Sequence, residues 1–146
     1  MLSMLAFWKL LRGLLTMARH TINEQLSQLG LTSAEGDIIY HLIGEATGLS
    51  QEALCERLSI GKAAVSRTVD SLVDKGMVIR EKNHQDARAY LVRLTQEGLD
   101  ISKQVLAVYE NVFRLIQRDI PEEDFVQASR LLTHVHKNLT CGRAES

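Results

Sequence analysis

The chain has 146 residues, 45% of them hydrophobic, 5% aromatic and only one a proline, which fits one mostly helical domain with an apolar core. Its two cysteines exclude a disulfide scaffold or a cysteine zinc finger and are typical of a cytoplasmic protein. The net charge of −1 gives no overall sign of nucleic-acid binding, but residues 60–93 carry seven cations against four anions and are therefore locally +3. A basic segment on an acidic chain suits a protein that presents one face to phosphates.

The first predicted helix runs from about residue 3 to residue 28, and Gly30 ends it. Lys9 and Arg12 interrupt its apolar run and no basic segment precedes it, so the pattern favours neither a signal peptide nor a membrane span. We expect its wide apolar stripe to bury against another helix or another subunit.

Three shorter helices are predicted next. Thr32 followed by Glu35 fits a capping box that opens the second helix, and Ser50 can cap the third helix. The fourth helix is expected over residues 62–75, after a short turn, and Gly76 ends it.

The fourth predicted helix has two distinct faces. Its apolar positions recur at helical spacing and are expected to bury inward. They are Val65, Val69, Leu72 and Val73. The opposite face combines small side chains with hydrogen-bonding groups, which suits a DNA major groove. It consists of Lys62, Ala63, Ser66, Arg67 and Asp70. Taken alone, this helix fits an ordinary amphipathic helix equally well, and the elements on either side of it favour DNA contact.

Short β-branched runs at 77–80 and 90–94 predict a β-hairpin with a long polar loop. Positive side chains there suit a phosphate or a narrow minor groove, and Asp86 could orient Arg88 through a charge-assisted bond. The hairpin residues expected to reach DNA are Lys82, His84, Asp86 and Arg88. A surface salt bridge of little energetic value is the alternative for Asp86 and Arg88.

Two final helices are predicted over about 96–118 and from Pro121 to about residue 139, followed by a loose tail. The last helix carries an apolar stripe that, like the first helix, has no partner inside a small winged domain. An interface shared by two subunits would bury both stripes, and an intramolecular helical bundle is the alternative. We therefore expect one domain over 1–146, with a winged DNA-binding part at 31–95 and dimerisation helices at 1–30 and 96–140.

The predicted order of helix, turn, helix and hairpin is that of a winged helix-turn-helix, in a mostly α fold with a small β-hairpin wing. The stretch DARAYLVRLT at 86–95 resembles the wing signature of the MarR family, D-x-R followed by L-T at the end of the second wing strand. Residues 54–58 and 64–76 are similar to the helix-turn-helix of that family, and Gly30-Leu31-Thr32 resembles the junction before its second helix. The resemblance covers nearly the whole chain.

This resemblance implies a transcriptional regulator that binds double-stranded DNA as a homodimer. In such a protein the first helix and the last two helices interlock, and two winged domains contact a palindromic operator. A ligand-responsive repressor is the expected mode, although activators occur in the family.

The resemblance also implies a small aromatic or amphipathic effector, bound where the dimerisation helices meet the winged part. Aromatic and titratable groups on the first two predicted helices are candidate liners of that site. They are Trp8, Met17, His20 and His41. In the alternative interpretation, all four are interface or core residues.

Metal-sensing and redox-sensing members of the same family are further alternatives. Glu24 and His41 could contribute to a zinc site, but the long fifth helix offers valines where further ligands would be needed, so no metal is expected. Cys55 is expected to be buried and inert, whereas Cys141 lies in the predicted tail and could oxidise incidentally.

An enzyme is not expected, because the sequence has no Gly-rich phosphate loop, nucleophile elbow or clustered acid–base set. No cofactor and no contact with a membrane are expected either. A winged helix used only for protein contacts is the remaining alternative, and Lys62, Arg67 and Arg88 argue against it.

Overall fold

The computed structural model describes residues 1–144, without the side chains of residues 87, 88, 143 and 144. Its helices are α1 (Met4–Ser27), α2 (Ser33–Leu42), α3 (Gln51–Leu58), α4 (Lys62–Asp74), α5 (Gln96–Gln117) and α6 (Glu122–Ala144). Its strands are β1 (Leu49–Ser50), β2 (Val78–Asn83) and β3 (Asp86–Leu94). The chain divides into two compact units, Met1–Val112 and Phe113–Ser146, and the division falls within α5.

The predicted caps are present at the helix starts. Thr32 accepts a hydrogen bond from the Glu35 amide at 3.2 Å, and Ser50 accepts one from the Ala53 amide at 3.0 Å. Both bonds satisfy amides that have no partner within their helix. The predicted positions of α2 and α3 are therefore confirmed.

The wing is a three-stranded antiparallel sheet in the order β1-β3-β2. The two-residue strand β1 pairs Leu49 with Val92 and was not predicted, since two residues carry no periodicity. The predicted long loop was wrong, because only His84 and Gln85 lie between β2 and β3. The Asn83 side chain accepts a hydrogen bond from the Gln85 amide at 3.1 Å and closes this tight turn.

The core of the Met1–Val112 unit lies where α2, α3, α4 and α5 face one another and the sheet. Its fully buried apolar side chains include Leu26, Ile38, Ile39, Leu54, Val65, Val69, Leu72, Val78, Val92 and Val105. Val73, which was expected to face inward, is 37% exposed. At about 100° per residue it lies some 80° from Val65, at the edge of the apolar stripe of α4.

Many apolar side chains of α1 are exposed in the single chain. The exposed ones include Leu5, Trp8, Leu14, Leu15 and Met17, whereas Leu26 near the end of α1 is fully buried. No described helix has the length and apolar character needed to cross a membrane.

In the Phe113–Ser146 unit, α6 carries Leu131, Leu132 and Leu139 with exposed side chains. The expected loose tail was wrong in part, because α6 continues to Ala144. The Thr140 hydroxyl donates back to the His136 carbonyl at 3.1 Å, and no proline interrupts this stretch.

Candidate nucleic-acid interface

A tight turn places α4 directly after α3. Ser59 adopts a left-handed backbone with φ of 54° at the end of α3, and Gly61 is the N-cap of α4. Residues on the same side as Val65 and Val69 are buried in the core, so the opposite face of α4 is directed to solvent.

Of the five residues predicted to face a major groove, Ala63, Arg67 and Asp70 lie on that outward side of α4, and Ser66 lies at its edge. Lys62, in the first turn, lies only about 20° from Val69 around the helix axis. Of the five, four are exposed and one is half-buried. The exposed ones are Lys62, Ala63, Arg67 and Asp70, and the half-buried one is Ser66. Two cations, one carboxylate and two small side chains therefore lie along about two and a half turns of α4.

Asp70 is not a free carboxylate, because Arg80 of β2 binds it. The Arg80 Nη2 atom lies 2.6 Å from Asp70 Oδ1 and 3.4 Å from the Ser66 carbonyl oxygen. Its Nε atom donates to Gln51 Oε1 at 3.0 Å. From the sequence, Arg80 could be counted only as one of the cations of residues 60–93, because nothing in the local pattern of β2 indicates a partner on α4.

The wing carries further polar side chains at and near its tip. Lys82 in β2, His84 in the turn and Asp86 at the start of β3 are all exposed. The side chain of Arg88 lies outside the described residues, so its predicted groove contact stays a prediction. Lys82 and Asp86 were expected in a loop and instead belong to strands.

A second arginine of the wing pairs across the sheet. Arg93 of β3 donates to both carboxylate oxygens of Glu81 in β2. This hydrogen bond lowers the pKa of the Glu81 carboxyl. The pair is exposed, so it orients the two strands and contributes little to stability.

The candidate effector residues are only partly brought together. Trp8 packs edge-on against Phe7, and His20 lies 3.2 Å from Glu24. Trp8 and His20 are twelve residues apart on one continuous helix, which separates them by about 18 Å along its axis. Met17 lies between them and is exposed. One small pocket in a single chain therefore cannot include both Trp8 and His20.

The fourth candidate, His41, lies beside an aromatic and ionic cluster that the sequence did not predict. Tyr40 stacks on Tyr109 of α5 with ring centroids 4.6 Å apart, and His41 contacts Tyr40 edge-on. The Tyr109 hydroxyl donates to Asp37, whose other oxygen lies 3.9 Å from Arg19. The cluster joins α1, α2 and α5. No local signal in the sequence points to this cluster, since Asp37 and Tyr109 are 72 residues apart.

Burial shifts two titratable groups in this region. It lowers the pKa of His41, with a smaller contribution from the nearby Arg57 guanidinium. It raises the pKa of the Tyr109 hydroxyl, and the hydrogen bond to Asp37 acts in the same direction. Both groups are therefore held in their neutral forms more strongly than in water.

In the described part of the chain, no three His, Cys, Asp or Glu side chains lie close enough together to hold a metal ion. Glu24 pairs with His20 instead. Cys55 is half-buried against the core, and Cys141 is exposed on α6.

A sequence model of the MarR family matches residues 29–89. Among solved structures, a mutant of MarR from E. coli complexed with operator DNA is 26% identical, with a TM-score of 0.77 over 87% of this chain and 91% of that one. The MepR–DNA complex from S. aureus is 20% identical, with a TM-score of 0.82 over 90% of this chain and 97% of that one. A putative MarR-family regulator from Listeria monocytogenes, complexed with a 26mer DNA, is 19% identical with a TM-score of 0.82 over 90% of this chain and 87% of that one. The winged helix fold predicted from the sequence is confirmed by these matches, and the predicted resemblance to the MarR family is confirmed by the family model over residues 29–89.

Proposed function

We propose that this protein binds specific sites in double-stranded DNA as a homodimer and represses transcription until a small effector releases it. The observation that carries the proposal is the outward face of α4 with its exposed first turn. There, Lys62 and Arg67 flank the small side chains of Ala63 and Ser66, on a helix whose other side is anchored in the core. Small residues let the helix axis approach the base edges, and the two cations provide contacts to guanine or phosphate.

The proposed docking places α4, the recognition helix, in the major groove and the wing over the adjacent minor groove. Lys82 places a positive charge near the end of the wing, His84 offers a polar ring at its tip, and Arg88 is the proposed minor-groove residue. The three DNA complexes named above support this arrangement as complexes of proteins with the same fold.

The homodimer is proposed because apolar side chains on α1 and α6 are exposed in the single chain. A large exposed patch of apolar side chains is typical of a surface that binds another protein. Two identical subunits related by a two-fold axis would present two recognition helices, which suits a palindromic operator. Sedimentation at micromolar concentration should give about twice the chain mass of 16.4 kDa.

The effector is proposed to be a small aromatic or amphipathic acid that binds near His41. This binding position is supported by the neighbouring cluster, which joins α1 and α5 to the winged part and consists of Tyr40, Tyr109, Asp37 and Arg19. The protein is proposed to act in the bacterial cytoplasm. His41→Ala should change the response to effector and leave operator affinity intact. Equal losses of folding stability and DNA binding would show that His41 is a core residue.

The proposal is tested by selecting bound sequences from random DNA and measuring affinity for the selected site against salt. Arg67→Ala should cost about 1–3 kcal/mol of binding and relax preference at one position of each half-site. Uniform weakening on every sequence would make Arg67 a phosphate contact. A wild-type protein that selects no sequence and shows no salt-sensitive binding would favour the alternative, a winged helix that contacts only proteins.

The wing is tested by the same salt titration. Removing one cation that neutralises a phosphate should reduce the slope of log affinity against log salt by about 0.9. Arg88→Ala in both subunits should therefore make the slope shallower by about two units, with similar weakening on most sites. If neither slope nor affinity changes, the wing does not touch DNA.

A further inference from the structure

The Arg80 guanidinium connects three elements of the winged part. Arg80 lies in β2, Gln51 is the first residue of α3, and Ser66 and Asp70 are on α4. All three acceptors lie within 3.4 Å of the Nε or Nη2 atom of Arg80. The side chain of Arg80 is only 27% exposed, so the group is held between elements and is not a typical surface charge.

One of these partners lies on the face that the proposed function assigns to DNA. The Asp70 side chain is 60% exposed, on the same face as Arg67. An unpaired carboxylate there would repel the phosphates of a bound duplex and would have several side-chain rotamers to choose from. The bond to Arg80 offsets its charge and fixes one of its oxygens. A carboxylate held in this way can accept a hydrogen bond from the amino group of cytosine.

The contact with Ser66 affects the backbone of α4. Its carbonyl lies in the middle of the recognition helix, and Arg80 Nη2 approaches it at 3.4 Å. With Gln51 bonded to the same side chain, α4 is tied to both its neighbours, the wing and α3. A rotation or shift of α4 relative to the wing and α3 would therefore break charge-assisted hydrogen bonds.

We propose that Arg80 is a positioning residue, which fixes the recognition helix against the wing and turns Asp70 from a repulsive charge into a selective acceptor. The proposal rests on the proposed DNA-binding function. It assigns sequence preference at one base pair of each half-site to an arginine that does not itself reach the DNA.

The test is a double-mutant cycle on the selected operator and on a non-specific duplex, with wild type, Arg80→Gln, Asp70→Asn and the double variant. Arg80→Gln should weaken operator binding by roughly 10- to 100-fold, the range for losing charge-assisted hydrogen bonds. In the Asp70→Asn background the same change should cost at least about threefold less, because no unpaired carboxylate is left and only the bonds to Ser66 and Gln51 are lost. Asp70→Asn alone should relax preference at one base pair per half-site.

Arg93→Gln is the matched control, since it removes the same charge from the wing and breaks a pair that does not involve α4. It should leave base preference unchanged. An Arg80→Gln penalty of the same size in both Asp70 backgrounds would overturn the proposal. So would equal weakening on operator and non-specific DNA, which would identify Arg80 as a phosphate contact.

Two further outcomes are distinguished by controls. If circular dichroism shows that Arg80→Gln does not fold, Arg80→Lys replaces it in the cycle, since lysine keeps the charge and lacks the planar fork that bridges the acceptors. Failure of wild type and Arg93→Gln to select any operator would refute the proposed function. Normal binding by both, with independent effects of Arg80 and Asp70, would refute only the positioning role.

Discussion

An ion pair between α2 and α4 gives the sharpest stability prediction. The side chain of Glu35 in α2 is only 4% exposed. The Lys75 ammonium, at the end of α4, donates to Glu35 Oε1 at 3.0 Å and to the Gly30 carbonyl at 2.8 Å. It also lies 2.8 Å from Oε2, so the ammonium is close to both oxygens of the carboxylate. The pair fixes the end of the recognition helix to the junction of α1 and α2.

Lys75→Met keeps the unbranched stem of the side chain and leaves the Glu35 carboxylate buried without its countercharge. Removing one partner of a buried pair costs about 3–5 kcal/mol. Because Lys75 is 38% exposed, water can partly replace its ammonium. The loss should therefore lie at the low end of that range, at about 3 kcal/mol. Urea unfolding at pH 7 and one fixed protein concentration measures it.

Two controls accompany the Lys75→Met measurement. Lys103→Met changes an exposed lysine on α5 and should alter the free energy of unfolding by less than about 0.5 kcal/mol. Adding Glu35→Gln to Lys75→Met should recover about 1–2 kcal/mol, because a neutral amide is cheaper to bury than a carboxylate. A Lys75→Met loss below about 1 kcal/mol, or a double variant no more stable than the single one, would show that the buried charge is not the cause.

Three further predictions concern titration and packing. Because the pKa of Tyr109 is raised in the folded protein, ionising the hydroxyl above its ordinary pKa of 10.0 favours the unfolded chain. The free energy of unfolding should therefore fall above that pH in wild type and much less in Tyr109→Phe. The lowered pKa of His41 means that the unfolded chain binds its proton more readily, so stability should fall below about pH 6.5, and His41→Gln should flatten urea-derived stability between about pH 5 and 7. Gly98→Ala places a Cβ 2.0 Å from the Met77 carbonyl oxygen and should cost more than about 2 kcal/mol, whereas Gly13→Ala, with open space around it, should be neutral or stabilising unless a partner subunit packs there.

Local signals in the sequence were sufficient to predict where the helices of the winged part begin. Thr32 and Ser50 cap α2 and α3 because a side-chain oxygen three residues before a free amide is a short-range arrangement. The same capping box contains Glu35, but its pairing with Lys75 spans 40 residues. Nothing in the spacing of the chain encodes that contact, which depends on how α2 and α4 pack.

The wing shows where periodicity fails. Its strands extend beyond the apolar runs, because Lys82 and Asp86 continue the ladder with polar side chains. The turn is set by the Asn83 side chain, and a tight two-residue connection was hidden within a polar stretch. Likewise β1 is defined by its partner strand, since Leu49 and Ser50 form a strand only by pairing with β3.

The local charge of +3 identified the basic segment, yet it did not identify which cations can reach DNA. Three of the seven cations are held by carboxylates inside the protein. They are Lys75 with Glu35, Arg80 with Asp70, and Arg93 with Glu81. Such pairs release few counterions when DNA binds, so replacing Arg93 by glutamine should leave the salt slope nearly unchanged.

Three other cations of this segment have no ion pair to any described residue and remain for phosphates. They are Lys62 and Arg67 on α4 and Lys82 on the wing. The seventh cation, Arg88, has a side chain outside the described residues and keeps its proposed role in the minor groove. Lys62→Gln should therefore make the salt slope shallower by about two units for the dimer, where the same loss of charge at Arg93 does not. Equal slopes for Lys62→Gln and Arg93→Gln would mean that pairing inside the protein does not decide which cations bind DNA. The segment then acts only through its net charge, and the outward face of α4 has no special role in docking.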